Sequence, residues 1–205
     1  MTRAPTRRSC DWPAGDALMQ RYHDAEWGAP LYDDRRLFEF LVLEGMQAGL
    51  SWRTVLHKRE NFRRAFDRFD PRKVARYRAA KVRRLLQNAG IIRNRLKVEA
   101  AITNAQAFLR MQQRHGRFSR FMWDLIGGRP IQNAWTTLKE LPCRTTESDA
   151  LSAALLAAGF RFVGSTICYA HMQATGMVND HLVYCFRHRE VAALAKRPVR
   201  ALAAA

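Results

Sequence analysis

The chain has 205 residues, 48% of them apolar, and carries 35 lysines and arginines against 18 acids, a formal charge of +17. That length supports one substantial domain with its own core, and no run of about eighteen apolar residues exists to span a membrane. The basic excess suits a polyanionic partner, because each neutralised phosphate releases condensed counterions.

The N-terminus, MTRAPTRRSC, is basic but has no apolar stretch of the kind that directs secretion, so a cytoplasmic protein is expected. Further on, Leu37, Phe38, Leu41, Val42 and Gly45 form an amphipathic stripe. Val55, Phe62, Phe66 and Phe69 predict a second helix. FDPRKV then supplies an Asp cap and a proline at the first helical position. From Pro71 to Val98 there is no acid, but there are Arg72, Lys73, Arg76, Arg78, Lys81, Arg83, Arg84, Arg93, Arg95 and Lys97. Such a run alone is an ordinary solvated helical face; in a chain biased throughout, it points to nucleic acid.

Val98, Ala101, Ile102, Ala105, Phe108 and Leu109 mark a long helix ending near His115–Gly116. TESDALSAALLAAG places Thr146 three residues before Asp149 and closes on Gly159. With no alternating strand pairs and no internal repeat, the class is all-α. Two stretches read as helix–turn–helix units, one interrupted at Gly90 and one at Gly159. In the second, Gly164 lets backbone approach closely, and the amides after it can hold a DNA phosphate without reading a base. Residues 1–190 are expected to form one domain, with 191–205 a flexible basic tail.

Four cysteines in a chain of this size do not make a disulfide scaffold. Cys143 and Cys168 read as buried small apolar groups. Cys10 lies thirteen positions before His23, and His181 and Cys185 form H-x-x-x-C. On a helix the latter two share a face. Two thiolates and two imidazoles make a soft tetrahedral set suited to a closed structural zinc site. The spacing alone is equally compatible with two unrelated Cys–His pairs. His57, His115, His171 and His188 have no comparable company.

Glu44 is the anomaly. Leu37, Leu41 and Ala48 share its helical face, so a carboxylate stands where its neighbours specify core. Trp12, Tyr22, Trp27 and Trp52 gather around it in sequence. A buried unpaired carboxylate is costly, and a pocket of flat rings with one acid suits a planar, hydrogen-bond-donating ligand, cationic or neutral.

The segments YHDAEWG, LEGMQAGLSW, NAGIIRNRLK, GFRFVGSTICYAHMQATG and VNDH followed by Cys185 together closely resemble the 3-methyladenine DNA glycosylase I family, from about Cys10 to Cys185. The resemblance implies a helix-hairpin-helix DNA glycosylase fold with one zinc joining its terminal segments, held by Cys10, His23, His181 and Cys185. It implies that Glu44 and Tyr22 make polar contacts to a flipped alkylated adenine and that Trp52 stacks on it. Trp12 and Trp27 complete the pocket. Met19 stands where the family usually has a second tyrosine, so a hydroxyl is replaced by a thioether. Gly49 and Leu50 match the wedge that fills the gap in the duplex, and Phe162, Val163, Gly164, Ser165 and Thr166 the phosphate clamp.

The implied reaction is hydrolytic excision of 3-methyladenine from double-stranded alkylated DNA, releasing the free base and leaving an abasic site. Methylation at N3 makes the purine cationic and already a good leaving group, so the protein must chiefly flip, select and position. Glu44 is expected to act in recognition and to stabilise positive charge; Asp180 is a weaker candidate for chemistry or for supporting the metal. No lysine is placed as a Schiff-base nucleophile, so a monofunctional enzyme, acting as a monomer, is expected. Two competitors are a non-catalytic zinc-stabilised nucleic-acid-binding protein and a zinc hydrolase using Glu44 as base.

Overall fold

The computed structural model describes residues 7–195. Its elements are α1 (Ala17–Ala25), α2 (Asp34–Gln47), α3 (Trp52–His57), α4 (Arg59–Ala65), α5 (Pro71–Val74), α6 (Ala79–Gln87), α7 (Arg95–His115), α8 (Phe118–Asp124), β1 (Ile131–Gln132), α9 (Thr146–Ala157), α10 (Ser165–Ala174), β2 (Val178–Asn179) and α11 (Phe186–Ala195). The fold is helical, as the periodicity predicts. Among the described residues the one departure is a parallel ladder that pairs Ile131 with Val178 and Gln132 with Asn179. Two residues per strand are too few for an alternating pattern to show in sequence.

The centre is α2. Every residue from Leu37 to Met46 is buried, because α2 packs against α3, α7, α8 and α10 and so has no solvent face along that stretch. Its stripe meets Phe108 of α7, whose ring lies 5.2 Å from Phe38 and 4.5 Å from Phe118. Two acids are buried with it, and they differ. Glu39 receives Arg59 Nε at 2.6 Å and Arg63 Nε at 3.0 Å, so its charge is matched by two guanidiniums. Glu44 has no such partner among the described residues.

The expected helix through Val55, Phe62, Phe66 and Phe69 is broken. It divides at Lys58 and ends at Ala65, and Asp67, Arg68 and Phe69 then take left-handed backbone. Phe69 stacks on Phe66 at 5.9 Å across that turn. Asp70 caps α5 through the amides of Arg72 and Lys73, with Pro71 at its first position, as expected. The capping box of α9 lies one residue earlier than the sequence suggests, between Thr145 and Ser148. The long helix ends at His115 with Gly116 at φ +78.

The two ends of the chain are tied together. The amide of Phe186 donates to Arg8 O at 3.0 Å, and the Tyr184 hydroxyl donates to Asp11 at 2.9 Å. Gly176, at φ +68, passes so close to Ala29 that a Cβ there would lie 2.3 Å from the Ala29 carbonyl carbon. Only glycine fits. The helix α11 extends to Ala195, past the expected start of the tail at 191, and buries Val191; residues 196–205 lie outside the described residues. No helix among the described residues is long and apolar enough to cross a membrane.

Candidate active site

A cavity of about 270 Å³ opens between α1, α2, α3 and α10, lined by Trp12, Met19, Tyr22, Trp27, Glu44, Gln47, Trp52, Leu138, Leu141, Ala170 and Gln173. The structure thus brings together the pocket residues that the sequence proposes. Asp16 caps α1 through the amides of Leu18 and Met19, which presents Met19, Tyr22 and His23 on the inward face. Ser51 caps α3 through Thr54 N, which starts that helix at Trp52. The rings meet at angles: Tyr22 and Trp52 at 5.3 Å and 47°, Trp12 and Trp27 at 5.2 Å and 69°.

Three polar atoms around this cavity are buried without a partner among the described residues: Glu44 Oε2, Trp12 Nε1 and Trp52 Nε1. Buried polar atoms are nearly always hydrogen-bonded, so three unpaired atoms on one cavity make it the candidate site for a ligand. Burial pushes the Glu44 carboxyl from its ordinary 4.5 up to about 8, which favours its protonated form at neutral pH. Burial, with the Glu44 charge next in effect, also pushes the Tyr22 phenol upward. It stays neutral and keeps its proton.

Gln173, Leu138 and Leu141 were missed by the sequence reading. The leucines begin and cap a three-residue 3₁₀ turn (Leu138–Glu140), too short for a periodicity to announce them. Gln173 is recognisable only once Asp180 is seen. That carboxylate is buried and accepts from Asn133 Nδ2 (2.7 Å), Trp135 Nε1 (2.8 Å), the Tyr169 hydroxyl (2.6 Å) and Gln173 Nε2 (2.7 Å). Each of its two oxygens accepts two bonds, and none of the four donors belongs to the Cys/His group. Asp180 fixes which way the Gln173 amide faces.

Cys10, His23, His181 and Cys185 converge, all buried, with donor atoms within 4.8 Å of one another. The group could hold a metal ion. His181 and Cys185 do not sit on a helix as expected; they lie in the turn before α11, and the turn gives their atoms a separation of 3.7 Å. The outward nitrogens are occupied: His23 Nδ1 lies 2.6 Å from Asp24 Oδ1, and His181 Nε2 lies 2.9 Å from Trp27 O. Each ring donates outward, so the inward nitrogens, 3.2 Å apart, face each other as lone pairs. Pairing with the Cys10 thiol holds Cys185 below the ordinary thiol range, and the same pairing with burial pushes Cys10 above it. Gly28, at φ +77, is the close neighbour of the His181 ring, 3.0 Å from where a Cβ would stand.

Cys168 is buried as expected, but Cys143 is exposed, because it lies in an irregular surface segment rather than on a packed face. His171 is buried without a partner among the described residues, and burial drives it down to about 3. His57 pairs with Asp16 at the surface. Gly49 takes φ +74 in the turn after α2 and leaves Leu50 45% exposed. Phe162, at φ +55, and Gly164 form the turn into α10. Gly164 is the N-cap of this ten-residue helix and no side chain caps its first amides.

The fold and the site define a helical protein with a base-sized aromatic cavity and a Cys/His group joining its two ends. The profile of the Methyladenine glycosylase family matches residues 12–188, and the chain belongs to that family. It is 53% identical over 176 residues, 86% of this chain and 94% of the relative, to DNA-3-methyladenine glycosylase 1 of Escherichia coli (strain K12). A crystal structure of 3-methyladenine DNA glycosylase I superposes with a TM-score of 0.85 at 51% identity, covering 87% of this chain and 98% of that one. The Staphylococcus aureus 3-methyladenine DNA glycosylase I, solved to explain its recognition of 3-methyladenine, gives 0.84 at 35% identity over 87% and 95%.

Proposed function

We propose that this protein is a monofunctional DNA glycosylase that flips 3-methyladenine out of alkylated duplex DNA and hydrolyses its N-glycosidic bond. The observation that carries this is the trio of orphaned polar atoms, Glu44 Oε2, Trp12 Nε1 and Trp52 Nε1, on one aromatic cavity in a member of this family. A purine methylated at N3 is cationic while attached to the sugar, and its amino edge donates hydrogen bonds. Entry of a cation lowers the Glu44 pKa, and the proton leaves to water, so that the buried neutral acid becomes a carboxylate matched by the base's charge. Tyr22, still protonated, supplies a hydroxyl, and Trp52 a face for stacking.

The chemistry asks little more of the protein. The cationic base leaves readily, Glu44 stabilises positive charge as the bond weakens, and the walls orient the sugar toward water. An ordinary purine lacks the charge that pays for ionising Glu44, which gives selection. Leu50, exposed on its left-handed turn, fills the gap in the stack. The turn through Phe162, Val163, Gly164, Ser165 and Thr166 receives a backbone phosphate on amides, as a helix-hairpin-helix does.

The metal we assign to Cys10, His23, His181 and Cys185 is zinc. Zn–S of about 2.3 Å and Zn–N of about 2.0–2.1 Å imply tetrahedral edges on the order of 3.3–3.8 Å. Four of the six nitrogen and sulfur separations here run from 3.2 to 3.9 Å, and all six lie within 4.8 Å. Four protein donors make it a structural staple between the terminal segments; the base pocket's own side chains do the recognition. Titrating the protein with free 3-methyladenine and with adenine while following indole fluorescence tests the pocket. Saturable quenching by the methylated base is expected, carried by stacking and hydrogen bonding because the released base is no longer cationic, and its absence defeats the reading. The adenine response measures how much selection the charge of the attached base must supply. Borohydride trapping of a covalent DNA adduct would overturn the monofunctional assignment.

A further inference from the structure

Of the ten basic residues between Arg72 and Lys97, Lys97 is the one that is buried. Its ammonium donates to the carbonyl oxygens of Met46 at 2.8 Å and Ala48 at 2.5 Å. These belong to the last turn of α2 and to its C-cap, immediately before Gly49 and Leu50. Ala48 leaves the helix at φ −43 and ψ 118, so the end of α2 is held by a cation from α7, with the helix dipole favouring that charge. Desolvation lowers the Lys97 pKa, yet the two carbonyls give the ammonium a defined seat.

Seven residues along α7, Asn104 makes a matching clamp. Its Nδ2 donates to Arg161 O at 2.9 Å, and its Oδ1 accepts from Arg161 N at 2.7 Å. One side-chain amide thus satisfies both backbone groups of the residue preceding Phe162. Lys97 and Asn104 lie two turns apart on one face of α7, a rise of about 10 Å. The third side of the triangle is direct packing. Gly45 of α2 faces Phe162, whose Cβ is 3.4 Å from where a Gly45 Cβ would be.

We propose that Lys97 and Asn104 are positioning residues that make α7 a strut between two DNA-facing turns. They hold Gly49–Leu50 and Phe162–Gly164 in one register, so that the wedge enters the duplex at the step whose phosphate the hairpin grips. The inference rests on the reading of those turns as wedge and phosphate clamp. Neither residue lines the base cavity. Their effect is therefore on flipping from a duplex, and the pocket keeps its affinity for the free base.

The test compares wild type with Lys97→Met, Asn104→Ala and Lys97→Arg. Three quantities are read: affinity for free 3-methyladenine, kcat/KM on methylated duplex DNA, and kcat/KM on the same lesion placed in a single-stranded oligonucleotide. For Lys97→Met and Asn104→Ala, duplex excision falls on the order of tenfold to a hundredfold. Free-base affinity stays within about twofold, since the pocket contacts are untouched, and the single-stranded substrate loses less than the duplex. Lys97→Arg, which can still donate to both carbonyls, recovers most of the duplex rate. Unchanged duplex excision in both loss variants overturns the proposal. So does a parallel loss of free-base binding, which would mean that α2 itself has shifted. Should Lys97→Met not fold, Asn104→Ala decides on the same criteria. Wild type that releases no base would instead remove the glycosylase reading, a different outcome from active wild type with equally active variants.

Discussion

Glu44→Gln separates the cost of the pocket from its use. In the fold the carboxyl is pushed to about 8 by burial, against an ordinary 4.5. A raised acid means that the native state binds a proton the unfolded chain has released, so stability falls as pH rises through that window. At about 1.4 kcal/mol per pH unit, the buried carboxyl costs on the order of 3 kcal/mol at pH 7 and under about 1 kcal/mol at pH 5. Glutamine has no such titration. Denaturant unfolding should therefore find Glu44→Gln more stable than wild type by on the order of 3 kcal/mol at neutral pH, with the gain shrinking as pH falls to 5. Binding of 3-methyladenine should weaken by about 1.5–3 kcal/mol, the worth of a hydrogen bond to a charged group. A stability difference that is the same at pH 5 and pH 8 would refute the argument, because it would show that burial places no strain on the carboxylate.

Leu50→Ala should leave unfolding stability within about 0.5 kcal/mol, the range of ordinary surface changes, because the side chain is 45% exposed. Excision from duplex DNA should drop while free-base binding holds, read by parallel product assays and fluorescence titration. Elemental analysis should find one zinc per chain, and prolonged chelation should lower the melting temperature; Cys185→Ser should lose the metal outright. Asp180→Asn replaces an acceptor of four donors with a group that must itself donate. It should destabilise the protein by about 1–3 kcal/mol or more, measured by denaturant unfolding. Binding to DNA should weaken steeply with salt, in proportion to the phosphates neutralised, checked by titrations at several ionic strengths.

What could be read from sequence was what rests on local periodicity and on chemical incongruity. Glu44 stood out because its helical neighbours are apolar, and its Oε2 has no partner among the described residues. Glu39, five residues earlier on the same helix, is equally buried, but its partners Arg59 and Arg63 come from α4, and no spacing rule announces a pair made across two helices. The four metal-group residues could be listed but not joined, since 171 positions separate Cys10 from His181 and only the tertiary fold closes that distance. The turn at His181–Cys185 shows a right grouping on a wrong local geometry: i and i+4 fits a helix, but here a turn makes the same approach. Asp180, adjacent to His181 in sequence, faces away from the Cys/His group toward Gln173, Tyr169, Asn133 and Trp135.

The central claim is that the orphaned carboxylate and indoles receive a flipped, methylated purine whose bond to DNA is then hydrolysed. It is tested most directly by incubating the protein with duplex DNA carrying labelled 3-methyladenine, and counting free base against abasic sites. Release of 3-methyladenine matched by an equal number of alkali-labile abasic sites is the predicted result. Binding of the DNA with no base released above the spontaneous background would contradict it.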